Sequence, residues 1–312
     1  MSADSLPRYV VVFGCGVLGL FCFISKGLVG ACGISVLCSL TRVYHFNQTW
    51  NWKTTVQFWS LTLLLSAVGS RASSLIVLEF SLRAVSAWLS DADSRGLDLL
   101  LIQCQFSLGC CLTCTLDFLH QGAPHSSFSL FLAAALSWAL ASVGHGLWIH
   151  VARLYPLHST ERCCGKCITL LTSGHTILAS LQRAVVLVFA LATVASTAMV
   201  YDHFLCQKDA LKLWIPLILC YTMLVVYIQE DQNQQTSSET LMRIVVVRLG
   251  ALLVLMLTVG NWSDVLHILF TFLGEAVCLL PTQDLLRTKQ QSPVTKQMNP
   301  QRPEVYLKNQ SQ

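Results

Sequence analysis

The chain consists of long apolar runs separated by short polar connections. Several runs reach or exceed the ~18–20 residues that a helix needs to cross the hydrocarbon core of a bilayer. The runs are continuous and do not alternate over ~10 residues, which argues against a transmembrane β-barrel. The pattern therefore predicts an all-α fold, a polytopic membrane helix bundle with about eight transmembrane helices. The predicted spans are 27–44, 56–80, 97–119, 128–150, 184–201, 213–229, 244–260 and 265–281.

The two ends of the chain differ from this apolar region, which we define as a helical membrane domain over residues 27–281. Residues 1–26 form an N-terminal segment that contains the apolar stretch Val10–Ile24 after Arg8. This stretch is an extra span, an anchor, or the start of one long first helix. Residues 282–312 are rich in Gln, Pro, Lys and Asn and have few large apolar side chains. They are predicted to form a disordered cytosolic tail.

Composition supports the membrane assignment. Of 312 residues, 54% are hydrophobic and only 12% are charged, and the mean hydropathy is +0.59. A soluble domain usually carries about a quarter charged residues. The net charge of +4 is small and its basic residues are scattered, which argues against nucleic-acid binding. The lipid bilayer is therefore the expected environment and partner.

The distribution of Lys and Arg predicts the orientation. With eight spans, fourteen Lys and Arg residues fall on the side that holds both termini, and four fall on the other side. Loops rich in Lys and Arg stay in the cytosol. Both termini are therefore predicted to be cytosolic, whereas the identity of the membrane is not determined by the sequence.

Five long strings carry a family resemblance. They are "VGSR…VLEFSLRAVS" (68–86), "CQFSLGCCLTCTLDFLHQGAPH" (104–125), "RLYPLHSTERCCGKC" (153–167), "CYTMLVVYIQEDQ" (220–232) and "LTVGNWSDVL" (257–266). On these strings the chain resembles the vertebrate transmembrane protein 82 family, over about residues 27 to 281. The resemblance implies a multi-pass membrane protein of unassigned molecular function, and it supplies no catalytic residues.

Charged side chains inside the predicted spans are the main functional signal, because an isolated charge in lipid costs several kcal/mol. Arg71 lies too deep in span 56–80 for its guanidinium to reach the outer surface, and reaching the cytosolic surface would require it to turn against the lean of helical side chains. Glu275, in the last span, lies within ~1.5 Å of the same depth, whereas Asp117 lies closer to a span end. We therefore predict a buried Arg71–Glu275 ion pair. It would serve either to hold two helices in register or to form part of a solute or ion pathway.

Three further charges are interpreted as interfacial. Glu79 and Arg83 are four residues apart on one helical face, in the favourable order of acid before base. Because they lie where the second span is predicted to leave the membrane, we expect an interfacial salt bridge between them. Arg248 lies near the start of its span and can extend back to the headgroups, so it is interpreted as an anchor.

Small residues recur at every fourth position in two predicted spans. The first stripe is Gly27, Ala31, Ser35 and Ser39, and the second is Ala133, Ser137 and Ala141. Such stripes allow helices to approach closely in lipid. They would serve packing within the bundle, or association with a second copy or another membrane protein.

Cysteine and histidine motifs give weaker signals. Cys163, Cys164 and Cys167 lie in a basic loop beside the membrane, which favours reversible palmitoylation over a metal site or inert thiols. The Cys111-x-x-Cys114 pair lies within a span, where a thiol behaves as a small hydrophobic group. No motif for a nucleotide, a metal or a cofactor stands in a suitable context, so none is predicted.

Two functional hypotheses remain open. The first is a multi-pass integral membrane protein without an evident catalytic site, which has an interaction or assembly role and is not an enzyme. The second is a small-solute or ion transporter that uses the Arg71–Glu275 pair.

Overall fold

The computed structural model describes residues 6–44, 53–89, 103–121, 126–161, 165–201, 238–259 and 262–279. Within these residues the chain forms seven α-helices and no strand, which confirms the predicted all-α fold. The helices are α1 Leu6–Tyr44, α2 Lys53–Leu89, α3 Gln105–His120, α4 Ser126–Glu161, α5 Gly165–Val200, α6 Ser238–Val259 and α7 Trp262–Leu279. The predicted disordered tail lies outside the described residues.

Five of these helices are long and apolar enough to cross a membrane, as judged by length and composition. The stretches are Gly19–Val43, Thr54–Val85, Ser127–Ala152, Ala179–Val200 and Trp262–Leu279. The predicted span 97–119 corresponds to α3, which begins only at Gln105, and span 244–260 corresponds to α6. Span 213–229 lies outside the described residues. A multi-pass helical bundle is therefore confirmed, but the count of eight spans is not.

The first helix is continuous from Leu6 to Tyr44. The helix runs through Val10–Ile24, which agrees with the start of one long first helix, and whether this stretch is an anchor or an extra span stays a prediction. The stretch of α1 suited to the bilayer, Gly19–Val43, begins inside this segment. The boundary drawn at residue 26 therefore falls within a helix.

The second helix is interrupted at Gly69, which has φ 72° and ψ 162°, a backbone conformation outside the helical region. Contacts with α7 show that the chain turns back at this residue. Before the turn, the Gln57 Nε2 donates to the Val277 carbonyl oxygen at 3.2 Å. Ala67, which is ten residues later, accepts a hydrogen bond from His267 Nδ1 at 2.7 Å. The two segments therefore run antiparallel up to Gly69.

After the turn, the order of contacts reverses. Arg71 lies beside Asp264, near the start of α7. Glu79 and Glu275 both contact Arg248, so that Glu79 lies at the level of Glu275, near the end of α7. This part of α2 therefore runs parallel to α7. We call residues 53–68 the first arm and residues 70–89 the second arm. The arms contain about 16 and 20 residues, or ~24 and ~30 Å of helix.

Glycines let α1 pack closely against its neighbours. A Cβ atom at Gly27 would overlap the Ser66 hydroxyl and the Thr62 carbonyl oxygen of the first arm. A Cβ atom at Gly30 would lie 3.0 Å from the Gly109 carbonyl oxygen of α3. The first small-residue stripe also includes Ala31, which is buried. This stripe is therefore used for packing within the bundle, where only a hydrogen atom fits.

The directions of the helices follow from these contacts. Gly27 contacts Ser66 near the end of the first arm, whereas Arg42, near the end of α1, shares a cavity with Thr54 at the start of that arm, so α1 and the first arm are antiparallel. On the other side, Phe21 stacks on Phe131 and Arg42 lies over the Trp148 ring, so α1 and α4 are parallel. Both α1 and α7 are antiparallel to the first arm, and they therefore run in the same direction.

Candidate functional site: a buried charge network

Two arginine and two glutamate side chains meet inside the bundle. Arg248 Nε lies 3.4 Å from Glu79 Oε2, and Arg248 Nη2 donates to Glu275 Oε1. The other oxygen of Glu79 lies 3.8 Å from Arg83 Nε. The four side chains thus alternate in sign, in the order Arg83, Glu79, Arg248, Glu275. We call these four residues the charge network.

Three helical segments bring the charge network together. Glu79 and Arg83 share a face of the second arm because they are separated by one helical turn. Arg248 comes from α6 and Glu275 from α7, which follows α6 closely in the sequence. The Arg248–Glu275 pair joins these two helices, and the Arg248–Glu79 pair connects them to the second arm.

The Arg83 end of the charge network reaches a fourth element. Arg83 Nη1 donates to Gln103 Oε1, just before α3, at 3.1 Å. The Arg83 guanidinium also lies 5.0 Å from the centre of the Phe80 ring, which in turn lies 4.6 Å from the Phe189 ring of α5. A cation over an aromatic face is attracted by its electron density. The arginine is therefore held by an amide and a ring as well as by Glu79.

The charge network is almost completely removed from solvent. The exposed fractions are 2% for Glu79, 4% for Arg83, 1% for Arg248 and 3% for Glu275. Isolated charges at such burial would be very costly, but here each carboxylate lies beside a guanidinium and the total charge is zero. The arrangement is therefore tolerable only while the buried charges stay balanced.

Two further polar side chains are buried at the start of α3, close in sequence to Gln103. Gln105 is 4% exposed and Ser107 is 0% exposed. Gln105 Oε1 and Ser107 Oγ have no hydrogen-bond partner among the described residues. Buried polar atoms are usually hydrogen-bonded to protein or water. Within the described part of the chain, these two atoms lack the partner that buried polar atoms usually have.

The structure does not bring Arg71 and Glu275 together, and this corrects the predicted pair. Arg71 Nη1 lies 3.7 Å from Asp264 Oδ2, and its side chain is 44% exposed. Glu275 instead pairs with Arg248. The physical reason is the turn at Gly69, which puts Arg71 at the end of the bundle, two residues past the turn, and not at mid-span.

The same turn changes the positions of the charges interpreted as interfacial. Glu79 and Arg83 pair as predicted, at 3.8 Å, but both side chains are buried against other helices, and the interfacial position of the pair stays a prediction. Arg248 is the most buried charge of the four, and so it is not an anchor in the headgroups. Sequence reasoning missed the charge network because α2 was treated as one straight span. The available signal was the 32-residue length of Thr54–Val85, well beyond the ~20 residues of a single crossing.

A histidine supports the turn at Gly69. His267 Nδ1 donates to the Ala67 carbonyl oxygen, which has lost its helical partner at the break. The His267 ring also lies 3.4 Å from where a Cβ atom of Gly69 would be, and its Nε2 lies 3.3 Å from the Ser263 hydroxyl. The turn is therefore covered by α7.

Asp117, the alternative partner considered for Arg71, pairs with Lys26 of α1. Among the cysteines, Cys114 packs against Ser196 and Met199 of α5, at 3.4 and 3.5 Å, and Cys111 is fully buried. Of the predicted palmitoylation sites, Cys163 and Cys164 lie outside the described residues, and the side chain of Cys167 is not described. Palmitoylation at these sites stays a prediction.

Comparison with known families accounts for most of the chain. The family model for transmembrane protein 82 matches residues 46–300. The chain belongs to the transmembrane protein 82 family. This confirms the resemblance found in the sequence, and the matched region contains all four residues of the charge network. No solved structure matches the chain.

Proposed function

We propose that this member of the transmembrane protein 82 family is a non-enzymatic scaffold in the membrane, with an interaction or assembly role. One observation carries the proposal. The charge network links the second arm, α6 and α7 through mutually neutralised, buried side chains. A single polar or ionic arrangement in an apolar core can specify one helix register. The charge network would act as such a device and hold the bundle in one arrangement.

The packing of the thiols supports a non-enzymatic role. A membrane thiol oxidoreductase needs a cysteine pair that an external shuttle can reach. Cys111 and Cys114 are both 0% exposed, and the Cys114 sulfur is packed against α5. This arrangement favours inert, space-filling thiols over redox chemistry.

A second candidate function is transport of a small solute or ion. It is favoured by the buried Gln105 and Ser107 atoms, which have no hydrogen-bond partner among the described residues. Discontinuous helices such as α2 also occur at the binding sites of transporters. In this alternative, the charge network would be part of the pathway and would change partners during transport.

Purified protein reconstituted into sealed vesicles distinguishes the two functions. Ion- and pH-sensitive dyes inside the vesicles would report flux under an imposed gradient of protons, sodium, potassium or chloride. The scaffold proposal expects flux equal to that of protein-free vesicles. Flux that disappears in the Glu79→Gln variant but persists in an exposed control, Arg183→Gln, would replace the scaffold by the transporter.

We also propose an orientation. The residues around the end of α4 and the start of α5 include Arg153, Arg162 and Lys166, and the residues after α7 include five further Lys and Arg residues. Because α4 and α7 run in the direction of α1, their ends share one face of the bundle, and its basic flanks favour the cytosol. This orientation agrees with the prediction that the C-terminal tail is cytosolic. The start of α1 would lie at the opposite face, which differs from the prediction that both termini are cytosolic.

Epitope tags at the two ends of the full chain test this orientation. In cells with only the plasma membrane permeabilised, antibody and protease access would be compared at the two tags, with a full-detergent control. The proposal expects the tags to differ in access. Equal access of both tags under every condition would restore the prediction that both termini lie on one side.

A further inference from the structure

A polar cavity lies between α1, the first arm and α4, apart from the charge network. It has a volume of about 60 Å³ and opens to the surface at the end of the bundle where α1 ends. The polar residues that line it are Ser35, Ser39, Arg42, Thr54, Gln57 and His145. None of the described residues that line it is an Asp or a Glu. Its lining therefore offers hydroxyl, amide and guanidinium donors together with one full positive charge.

Arg42 supplies that charge. It lies in the last turn of α1, and its guanidinium carbon lies 5.0 Å from the centre of the Trp148 ring. Trp148 is 1% exposed and also contacts His145, with the two ring centroids 5.5 Å apart. Among the described residues, no carboxylate forms a salt bridge with Arg42. A fixed guanidinium without an acidic partner at the edge of a bilayer attracts an anion.

The size of the cavity limits which ligands can fit in it. One water molecule needs a cavity of about 10–15 Å³. A cavity of about 60 Å³ therefore has room for roughly four to six atoms of the size of a water oxygen. A phosphate group, with phosphorus and four oxygens, is in this range. Arginine is favoured at phosphate sites because its planar donors match two phosphate oxygens at once.

The surroundings favour a phosphate that belongs to a lipid. Ile34, Phe58 and Leu61 line the apolar side of the cavity. The exposed rings of Trp59 and Trp138 lie beside Phe58, with centroid distances of 5.6 and 5.8 Å from the Phe58 ring. Trp59 lies five residues after the start of the span Thr54–Val85, near the depth where tryptophan is enriched because one part of the ring is in lipid and another is in water.

We propose that this cavity is a binding site for a phosphate-bearing anion, which Arg42 holds between α1, the first arm and α4. The phosphate is that of an anionic lipid headgroup or free inorganic phosphate. This proposal does not depend on the scaffold function, because none of its residues belongs to the charge network. In the proposed orientation, the cavity would face the cytosolic leaflet, where anionic lipids are concentrated.

The test uses the purified full chain and two classes of probe. The thermal midpoint would be measured in neutral detergent with inorganic phosphate, and in nanodiscs of phosphatidylcholine alone or mixed with phosphatidylserine. Native mass spectrometry would report retained lipid. We expect phosphatidylserine to raise the midpoint and to be retained, with roughly ten- to hundredfold weaker binding in Arg42→Gln. Arg183→Gln, an exposed arginine outside the cavity, should bind like wild type.

The outcomes identify the source of the phosphate or show that the cavity is not a binding site. Stabilisation by inorganic phosphate alone, lost in Arg42→Gln, would identify free phosphate as the source. If Arg42→Gln does not fold, Thr54→Val removes one lining hydroxyl and should weaken binding while the protein remains folded. Absence of a shift in wild type with either probe, or equal binding by wild type and both cavity variants, would overturn the site.

Discussion

Arg248 lies 3.4 Å from Glu79, although the two residues come from helices far apart in the sequence. Arg248 has no acidic residue within one turn on its own helix, and Glu79 has only Arg83 on its own. Their contact depends on the turn at Gly69, which carries the second arm back along α7 and toward α6. Helix α2 therefore consists of two arms, and Glu79 lies in the middle of the second arm.

The first prediction concerns the centre of the charge network. Arg248→Met leaves two buried carboxylates, of which only Glu79 keeps an arginine partner, Arg83, and it should destabilise the protein by roughly 3–5 kcal/mol. The double variant Arg248→Met with Glu275→Met restores neutrality and should lose much less stability. Thermal melts of the purified protein in detergent would measure both, with Arg183→Gln as the control. A double variant that is as unstable as the single variant would contradict the network.

The second prediction concerns Arg71. Its pair with Asp264 is long, at 3.7 Å, and its side chain is 44% exposed. Exposed ion pairs contribute only about 0–1 kcal/mol. Arg71→Gln should therefore shift the melting midpoint little, in contrast to Arg248→Met measured under the same conditions. A large loss on Arg71→Gln would mean that the carboxylate of Asp264, which is itself buried, depends on Arg71.

The third prediction concerns the turn. Gly69 has φ 72° and ψ 162°, a conformation that residues with a Cβ atom avoid at a cost of about 1–3 kcal/mol. Gly69→Ala should lower stability by this amount, although its Cβ would meet His267 only at an ordinary 3.4 Å. Gly250→Ala, within helix α6 and with open space around its Cβ, is the matched control and should be neutral or stabilising. Equal effects of the two substitutions would argue against the turn.

The fourth prediction concerns the contact between α1 and the first arm. Gly27→Ala forces a methyl group onto the backbone at Thr62 and Ser66, which cannot move without separating the helices. The expected loss is about 1–3 kcal/mol. Gly19→Ala, on the same helix with nothing within 4 Å, should leave stability unchanged. Melts of both variants in detergent check the prediction, and tolerance of Gly27→Ala would count against this packing.

The fifth prediction concerns acylation of the basic loop. Cys163, Cys164 and Cys167 lie among basic residues next to a predicted span, where reversible palmitoylation is expected. Replacement of all three by Ser should abolish hydroxylamine-sensitive acyl exchange on protein expressed in cells. A signal that persists in the triple variant would remove these cysteines as the acylated sites.

The fold class could be predicted from the sequence because a chain with this many apolar residues is suited to a helical bundle in a membrane. Long continuous runs in a chain with 12% charged residues can satisfy their backbone only as helices in lipid. The bundle was therefore predictable without a structure. The small-residue positions Gly27 and Ala31 were also recognisable as a close-packing stripe, because their spacing is local to one helix.

The candidate site was less predictable because it depends on non-local geometry. The sequence indicated that Arg71, Glu79, Arg83, Arg248 and Glu275 were unusual in an apolar region. It did not determine their depth, because depth was counted along straight spans. One glycine with a positive φ reversed the chain and exchanged the deep and the peripheral charges.

By itself, the sequence determined that this is a helical multi-pass membrane protein of the transmembrane protein 82 family, and it determined which charges required a partner. These properties depend on composition and on long identifiable strings. Only the tertiary structure decided the pairs, Arg71 with Asp264 and Arg248 with Glu79 and Glu275. A pair is fixed by the path of the backbone through space, and the turn at Gly69 changes that path without leaving a strong signal in hydropathy.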